Sequence, residues 1–244
     1  MKELDRPSPV NMDRRRFLMS AGAGGAALLG AGTLAWGRPW PGPGLRAASE
    51  LGVMSPNEDL MQEHALLSRV LLIYEEAIRR LEGGKALDPG LLMRAARVIR
   101  DFTEDYHEKD EETYVFPRFR KAGQQTELVA VLLEQHKAGR AVTEAILSSS
   151  TGQVFADSAG RKRLIAAIRS FIRMYRPHAA REGSFLFPAF RNLLPPAEFD
   201  DLGAMFEKKE HEILGSEGFE GQVQVVAGLE WQLGIYDLAQ FMPK

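Results

Sequence analysis

The sequence predicts an all-α protein, an up-down-up-down four-helix bundle with a C-terminal helical extension. Three observations carry that expectation. From Ser55 onward apolar residues recur at helical spacing and strand-like alternation is scarce. The breaks between periodic stretches are short clusters of Gly, Pro, Ser and Asp, which suit connections between antiparallel neighbours. The stretch from His107 to Arg120, with its histidine, glutamate and Phe-Pro pair, also recurs 71 residues on, as expected of two helical hairpins of one design.

Composition narrows the function classes. Forty-five per cent of the 244 residues are hydrophobic, enough for a packed core. The net charge of −2 supplies no concentrated positive field, so nucleic acid is not an expected partner. There is no cysteine. Disulfides, thiolate metal sites, cysteine-held iron–sulfur clusters and a lipoprotein lipid anchor are all excluded, and any metal must be held by nitrogen and oxygen.

Residues 1–50 read as an address followed by a linker. Arg14 and Arg15 precede Phe17-Leu18, and no charge follows until after Trp36 in a stretch rich in Gly and Ala. This resembles a bacterial twin-arginine signal. The resemblance implies the twin-arginine translocation machinery as a partner, export in the folded state, often with a cofactor already loaded, and a periplasmic destination. Left uncleaved, the segment would tether the protein to the membrane, although its six glycines make a poor anchor. Pro39, Pro41 and Pro43 mark a linker over 37–50. The bundle is expected over 51–195 and the extension over 196–244.

Ser55-Pro56-Asn57-Glu58 is a capping box with proline at the first helical position, and Leu60, His64, Leu67 and Leu71 then follow one face to Gly83-Gly84. Asp88-Pro89 opens a second helix towards Pro117. A third is expected over Thr126–Ser148 and a fourth from Ser158 to Phe187-Pro188, with a kink at Pro177. A fifth lies near Ala197–Leu214, and an amphipathic stretch near Val223–Leu233.

The candidate site follows from the repeat. His107 and His178 are each followed four residues on by glutamate, Glu111 and Glu182, and nine and ten residues on by Phe116-Pro117 and Phe187-Pro188. His64 precedes the first set and His136 the second. Side chains four apart share a helix face, so each His–Glu pair can serve one cluster, to which His64 and His136 add one nitrogen each. Four imidazoles and two carboxylates suit two first-row metal ions bridged by the carboxylates. Iron is favoured, with manganese and zinc as rivals.

The doubled pattern His…His-x-x-x-Glu…Phe-Pro resembles the hemerythrin-like HHE cation-binding family over Pro56–Leu194, and Ile235-Tyr236-Asp237-Leu238 resembles a bacterial branch of it. The resemblance implies a hemerythrin-like bundle in which His64, His107, His136 and His178 are terminal ligands and Glu111 and Glu182 bridge. It further implies a non-haem di-iron protein that binds O2, NO or peroxide as carrier, sensor or scavenger. The alternatives are a di-iron redox enzyme in oxidative or nitrosative stress defence, which would need external electrons, and a metal-storage module. Arg140 stands where oxygen-carrying members have a further histidine, so the set is closer to that of iron and oxygen sensors.

The neighbouring residues carry expectations of their own. Glu207 and His211 read as a solvent-facing pair on the fifth helix, with a cap over the bundle or an added ligand as the alternative. Glu108 is turned about 100° from His107 on a helix and is expected at the surface, with a supporting contact behind the ligands as the alternative. Tyr114 and Phe185, seven residues after their histidines, are candidates either for walling the open coordination position or for plain core packing. Phe116 and Phe187 are read as core packing beside helix-ending prolines.

Overall fold

Helix α1 (Pro56–Glu82) starts as its capping box dictates. Ser55 accepts a hydrogen bond from the Glu58 backbone N–H at 3.4 Å, and the Glu58 carboxylate accepts from the Ser55 N–H at 3.2 Å. This computed structural model describes residues 54–243. The arginine pair, the apolar stretch and the linker read above lie outside those residues.

Every element among the described residues is helical. After α1, the composite helix α2 spans residues 89–122. It runs from Pro89–Val98 through a π-helical stretch Ile99–His107, an α turn Glu108–Asp110 and a second π-helical stretch Glu111–Val115, to the α-helical Phe116–Ala122. Gly123 ends it at φ 65°, a left-handed position that suits glycine. Helix α3 is Thr126–Ser149, and α4 is a short turn of helix at Gly152–Ala156 within what the sequence read as a plain connection. Composite α5 spans 158–190 as Ser158–Arg181, the π-helical Glu182–Leu186 and Phe187–Phe190. Helices α6 (Pro196–Leu214) and α7 (Gly218–Leu233) follow, with short 3-10 turns at Arg191–Leu193 and Leu238–Phe241.

The prolines behave differently from the expectation. Pro117 and Pro188 do not end their helices; each lies just after a π-helical stretch, and α-helix continues beyond it. A proline inside a helix lacks the N–H and crowds the carbonyl one turn back. A wider turn closed by i→i+5 bonds relieves that crowding. Pro177 likewise sits inside the Ser158–Arg181 helix without ending it.

α1, α2, α3 and α5 form the bundle, and their side chains divide into two apolar clusters with a polar layer between. One cluster runs from Leu66 to Leu81 on α1 and includes Ile99, Phe102 and Tyr106, Ile146, and Leu164 to Tyr175. The other gathers Leu60, Val115, Phe116, Phe119, Leu132, Leu186, Phe187 and Phe190. On each bundle helix the residues between the clusters are the predicted ligands. α6 contributes Phe199, Leu202 and Phe206 to the second cluster, and α7 contributes Val226, Leu229 and Leu233 to the first. α7 is held to α1 by a two-pronged Arg69–Glu230 ion pair at 3.0 and 2.6 Å. Among the described residues, no helix is long and apolar enough to cross a membrane.

Candidate metal centre

All six predicted ligands meet in the layer between the two clusters. Glu111 and Glu182 are both 0% exposed, and His64, the most exposed of the four histidines, reaches only 7%. The histidines form two pairs. His64 and His107 have ring centroids 4.7 Å apart, and His136 and His178 have theirs 5.0 Å apart. Each carboxylate touches one member of each pair. Glu111 lies 3.6 Å from His107 Nε2 and 3.4 Å from His136 Nε2. Glu182 lies 3.4 Å from His64 Nε2 and 3.0 Å from His178 Nε2. Two overlapping donor sets result, His64–His107–Glu111 and Glu111–His136–His178–Glu182, each with its ligand atoms within 4.8 Å of one another.

The donor atoms fit metal ions better than they fit each other. None of the four oxygens of Glu111 and Glu182 makes a hydrogen bond, although fully buried carboxylates ordinarily make several. The four Nε2 atoms all point inward, and His136 Nε2 faces His178 Nε2 at 3.3 Å. The outward nitrogens decide the tautomers. His107 Nδ1 meets Glu63 at 2.7 Å, His136 Nδ1 meets Glu112 at 3.1 Å, and His178 Nδ1 meets the Gln135 carbonyl oxygen at 3.0 Å. Each partner is an acceptor, so Nδ1 carries the proton and the Nε2 lone pair is left for the centre, as histidines bound to metals are held. Two inward lone pairs at 3.3 Å repel unless a cation takes them both.

Sequence reasoning missed these three acceptors, although a signal existed. Glu63 directly precedes His64 and Gln135 directly precedes His136, and each serves the histidine of the adjacent helix. The duplication therefore extends to the residues that orient the ligands.

Burial sets the protonation of the cluster. It pushes His64, His107 and His136 down to about 4, so all three are neutral near pH 7. Glu111 is raised well above the carboxylate range by burial and by the charge of Glu182. Burial acts on Glu182 too, but His178 and His64 outweigh it and hold this carboxyl below its usual range.

Around the ligands the structure corrects several expectations. Glu108 is not at the surface: it is 1% exposed, accepts a short hydrogen bond from the Tyr175 hydroxyl, and pairs with Arg140 at 2.7 Å. Burial pushes it up to about 8, against the pull of Tyr175 and Arg140. Arg140 also holds Glu112 at 2.6 Å, which connects it to His136. Tyr114 and Phe185 do not wall the site. Tyr114 packs on Phe206, and Phe185 is exposed. The rings against the ligands are Phe116 on His136 at 5.5 Å, Phe187 on His64 at 5.2 Å and Tyr175 on His178 at 5.3 Å. The π-helical stretches explain the change, because each widened turn moves the inward face from seven residues after the histidine, two α turns of 3.6 residues, to nine. His211 is exposed, and its Nδ1 lies 3.4 Å from the Gly215 carbonyl, so it adds no ligand to the centre.

Comparison with known proteins agrees with this geometry. Residues 55–154 match the family described as the hemerythrin HHE cation binding domain. The match includes His64, His107, Glu111 and His136, while His178 and Glu182, which lie beyond it, are brought in by the fold. Uncharacterized proteins of Mycobacterium tuberculosis and Mycobacterium bovis are 40% identical to this chain over 232 residues, covering 94% of it and 91% of their own length. No solved structure matches the chain. The chain belongs to the family of these mycobacterial proteins and carries a hemerythrin HHE cation-binding domain.

Proposed function

We propose that the chain is a non-haem di-iron protein that binds O2, or the related small ligands NO and peroxide, as a sensor, scavenger or carrier. The observation that carries this reading is the placement of Glu111 and Glu182. Each is fully buried, unsatisfied by hydrogen bonds and in contact with one histidine of each pair. His64 and His107 would hold one ion, His136 and His178 the other, and the two carboxylates would bridge. A mixed imidazole–carboxylate set without sulfur favours iron over zinc, and manganese is the nearest competitor. Bound iron supplies reversible one-electron chemistry and a coordination position for an exogenous ligand.

The chain's own residues supply the rest. Glu63, Glu112 and Gln135 orient three of the imidazoles, Phe116 and Phe187 exclude water from two of them, and the apolar clusters on either side keep the layer dry. Arg140 lies one turn after His136, where it holds Glu108 and Glu112, and this favours sensing or scavenging over simple oxygen transport. The N-terminal motif supports delivery to the periplasm by the twin-arginine route, with the metal loaded before export.

The test is an anaerobic titration of reduced, iron-loaded protein with O2 and NO, followed by ultraviolet–visible absorption. A saturable, ligand-dependent spectral change is expected. Sustained consumption of ligand with added reductant assigns a redox enzyme instead. A spectrum indifferent to O2, NO and peroxide contradicts the proposal and leaves metal storage.

A further inference from the structure

The two halves of the site are related by the internal repeat, and that relation fails at one place. α1 corresponds to α3 with a displacement of 72 residues (His64 to His136), and α2 to α5 with one of 71 (His107 to His178). The space between α2 and α3 beside His136 is filled by Arg140, which grips Glu108 and Glu112 at 2.7 and 2.6 Å. The corresponding positions between α1 and α5, beside His64, are Ser68, Ala179 and Gly183. A charged plug on one side is replaced by three small residues on the other. Lys137, Glu144 and Lys109 are likewise replaced by Ala65, Leu72 and Ala180.

What the small residues leave is a cleft of about 450 Å³ between α1 and α5, with His64 and Tyr175 among its lining. A Cβ added to Gly183 would meet nothing within 4 Å, so that position is open as well. His64 differs from the other three histidines in a second respect. The repeat puts Gly183 where Glu112 orients His136, and His64 Nδ1 has no hydrogen-bond partner among the described residues, although the residue is 93% buried. One ligand imidazole, under-supported and the most exposed of the four, thus faces the side of the bundle that is not plugged.

We propose that this α1/α5 cleft is the port through which an uncharged diatomic gas reaches the metal pair, on the His64 side. The inference rests on the di-iron reading above and names the ligand's route and chemical class. Met61, Ala65, Leu72, Ala179 and Ala180 give the port apolar walls. Its polar side chains are committed elsewhere: the Ser68 hydroxyl donates to the His64 carbonyl at 2.9 Å, Arg176 pairs with Glu75 at 2.6 Å, and the Tyr175 hydroxyl donates to Glu108. An anion on this path would find only the guanidinium of Arg176, half-exposed and already paired with Glu75, to replace its hydration, whereas O2 or NO loses little. The opposite side, through Arg140, Glu108 and Glu112, is closed to an apolar molecule.

The test uses two variants of the full chain. Leu72→Trp covers the mouth from a position already 36% exposed, and Ser68→Arg/Ala179→Glu copies the plug from the other half. The association rate of NO with reduced, iron-loaded protein should fall about tenfold or more in each, with iron content unchanged. Xenon-129 NMR of the protein as purified should show a saturable site in the wild type that Leu72→Trp removes. Full iron and an unchanged NO rate in both variants would overturn the port, and so would an iron-loaded wild type without a xenon site. A xenon site in a chain that takes up no iron would support the port and contradict the di-iron reading, so the two failures are distinguishable.

Discussion

Glu111 and Glu182 occupy equivalent places in the repeat, yet burial and the charge of Glu182 push the Glu111 carboxyl up while His178 and His64 hold that of Glu182 down. The reason is that two buried carboxylates this close cannot both ionise without a cation. Their unsatisfied oxygens, and the inward Nε2 atoms around them, leave the polar layer unfavourable until ions fill it. The acceptors behind the imidazoles matter for the same reason, since they hold the lone pairs on target. Glu63→Ala should therefore weaken metal binding about 10–100-fold, in the same direction as loss of other such partners. Competition with a chromophoric chelator measures it, and an unchanged affinity would show that His107 needs no support.

The histidines also set the acid response of the metal-free protein. His64, His107 and His136 are lowered from 6.5 to about 4 by burial. Between those values the unfolded chain binds protons that the folded chain refuses, so stability from these groups is lost as pH falls below 6.5 and levels off below about 4. Glu111 works with the opposite sign, because its raised folded value makes its contribution fade as pH rises. Thermal melts of chelator-treated protein should show a falling midpoint from pH 6.5 towards 4. A flat profile there would mean that the imidazoles are hydrated in solution.

At the scale of elements, the π-helical stretches at Glu111–Val115 and Glu182–Leu186 decide which aromatic rings meet the site. Four of the six donors that meet in the layer were legible because His-x-x-x-Glu needs only local helical geometry, which the sequence states twice, and His64 and His136 because each precedes one of those pairs by a similar interval. Phe116 and Phe187 were read as plain core because the count assumed α turns throughout, and nothing in a single sequence announces a widened turn before Phe-Pro. Glu108 was read as exposed because one helix was considered alone; Tyr175 on α5 and Arg140 on α3 cover it from two neighbours. The acceptor Gln135, similarly, depends on which helix packs beside which.

Close packing of α3 on α5 rests on one glycine. A Cβ at Gly139 would overlap the Tyr175 hydroxyl and come within 2.9 Å of its ring, which is held against His178. Gly139→Val should cost about 1–3 kcal/mol by overpacking, while Gly152→Ala, whose Cβ meets nothing within 4 Å, should not. Chemical denaturation of both variants checks the contrast; equal stability would show that Tyr175 can move aside freely.

Residues 54–243 form a duplicated hairpin pair in which the six buried donors follow the repeat and one flank departs from it, with α6 and α7 packed against the bundle through Lys209–Asp110 and Arg69–Glu230. The four-helix pattern and the extension were readable from the spacing of apolar residues and their breaks, because helical periodicity needs no tertiary knowledge. The α4 turn at Gly152–Ala156 was not readable, its five residues being too few to establish a period. Delivery is a property of the same scale. Arg14→Lys with Arg15→Lys should hold the protein in the cytoplasm, since an arginine pair of this kind is read by a receptor and not by charge alone. Cell fractionation finding the variant in the periplasm at wild-type levels would rule out the twin-arginine route.

Six buried donors that hold two bridged ions would fix the metal content of the chain. Elemental analysis of purified full-length protein, alongside Glu111→Ala and Glu182→Ala, should find about two irons per chain in the wild type, as a six-donor N/O set shared between two ions implies. Each variant should lose most of that iron to a similar degree, because each carboxylate touches both histidine pairs. One metal or none in reconstituted wild-type protein, or full iron in either glutamate variant, would contradict the bridged pair.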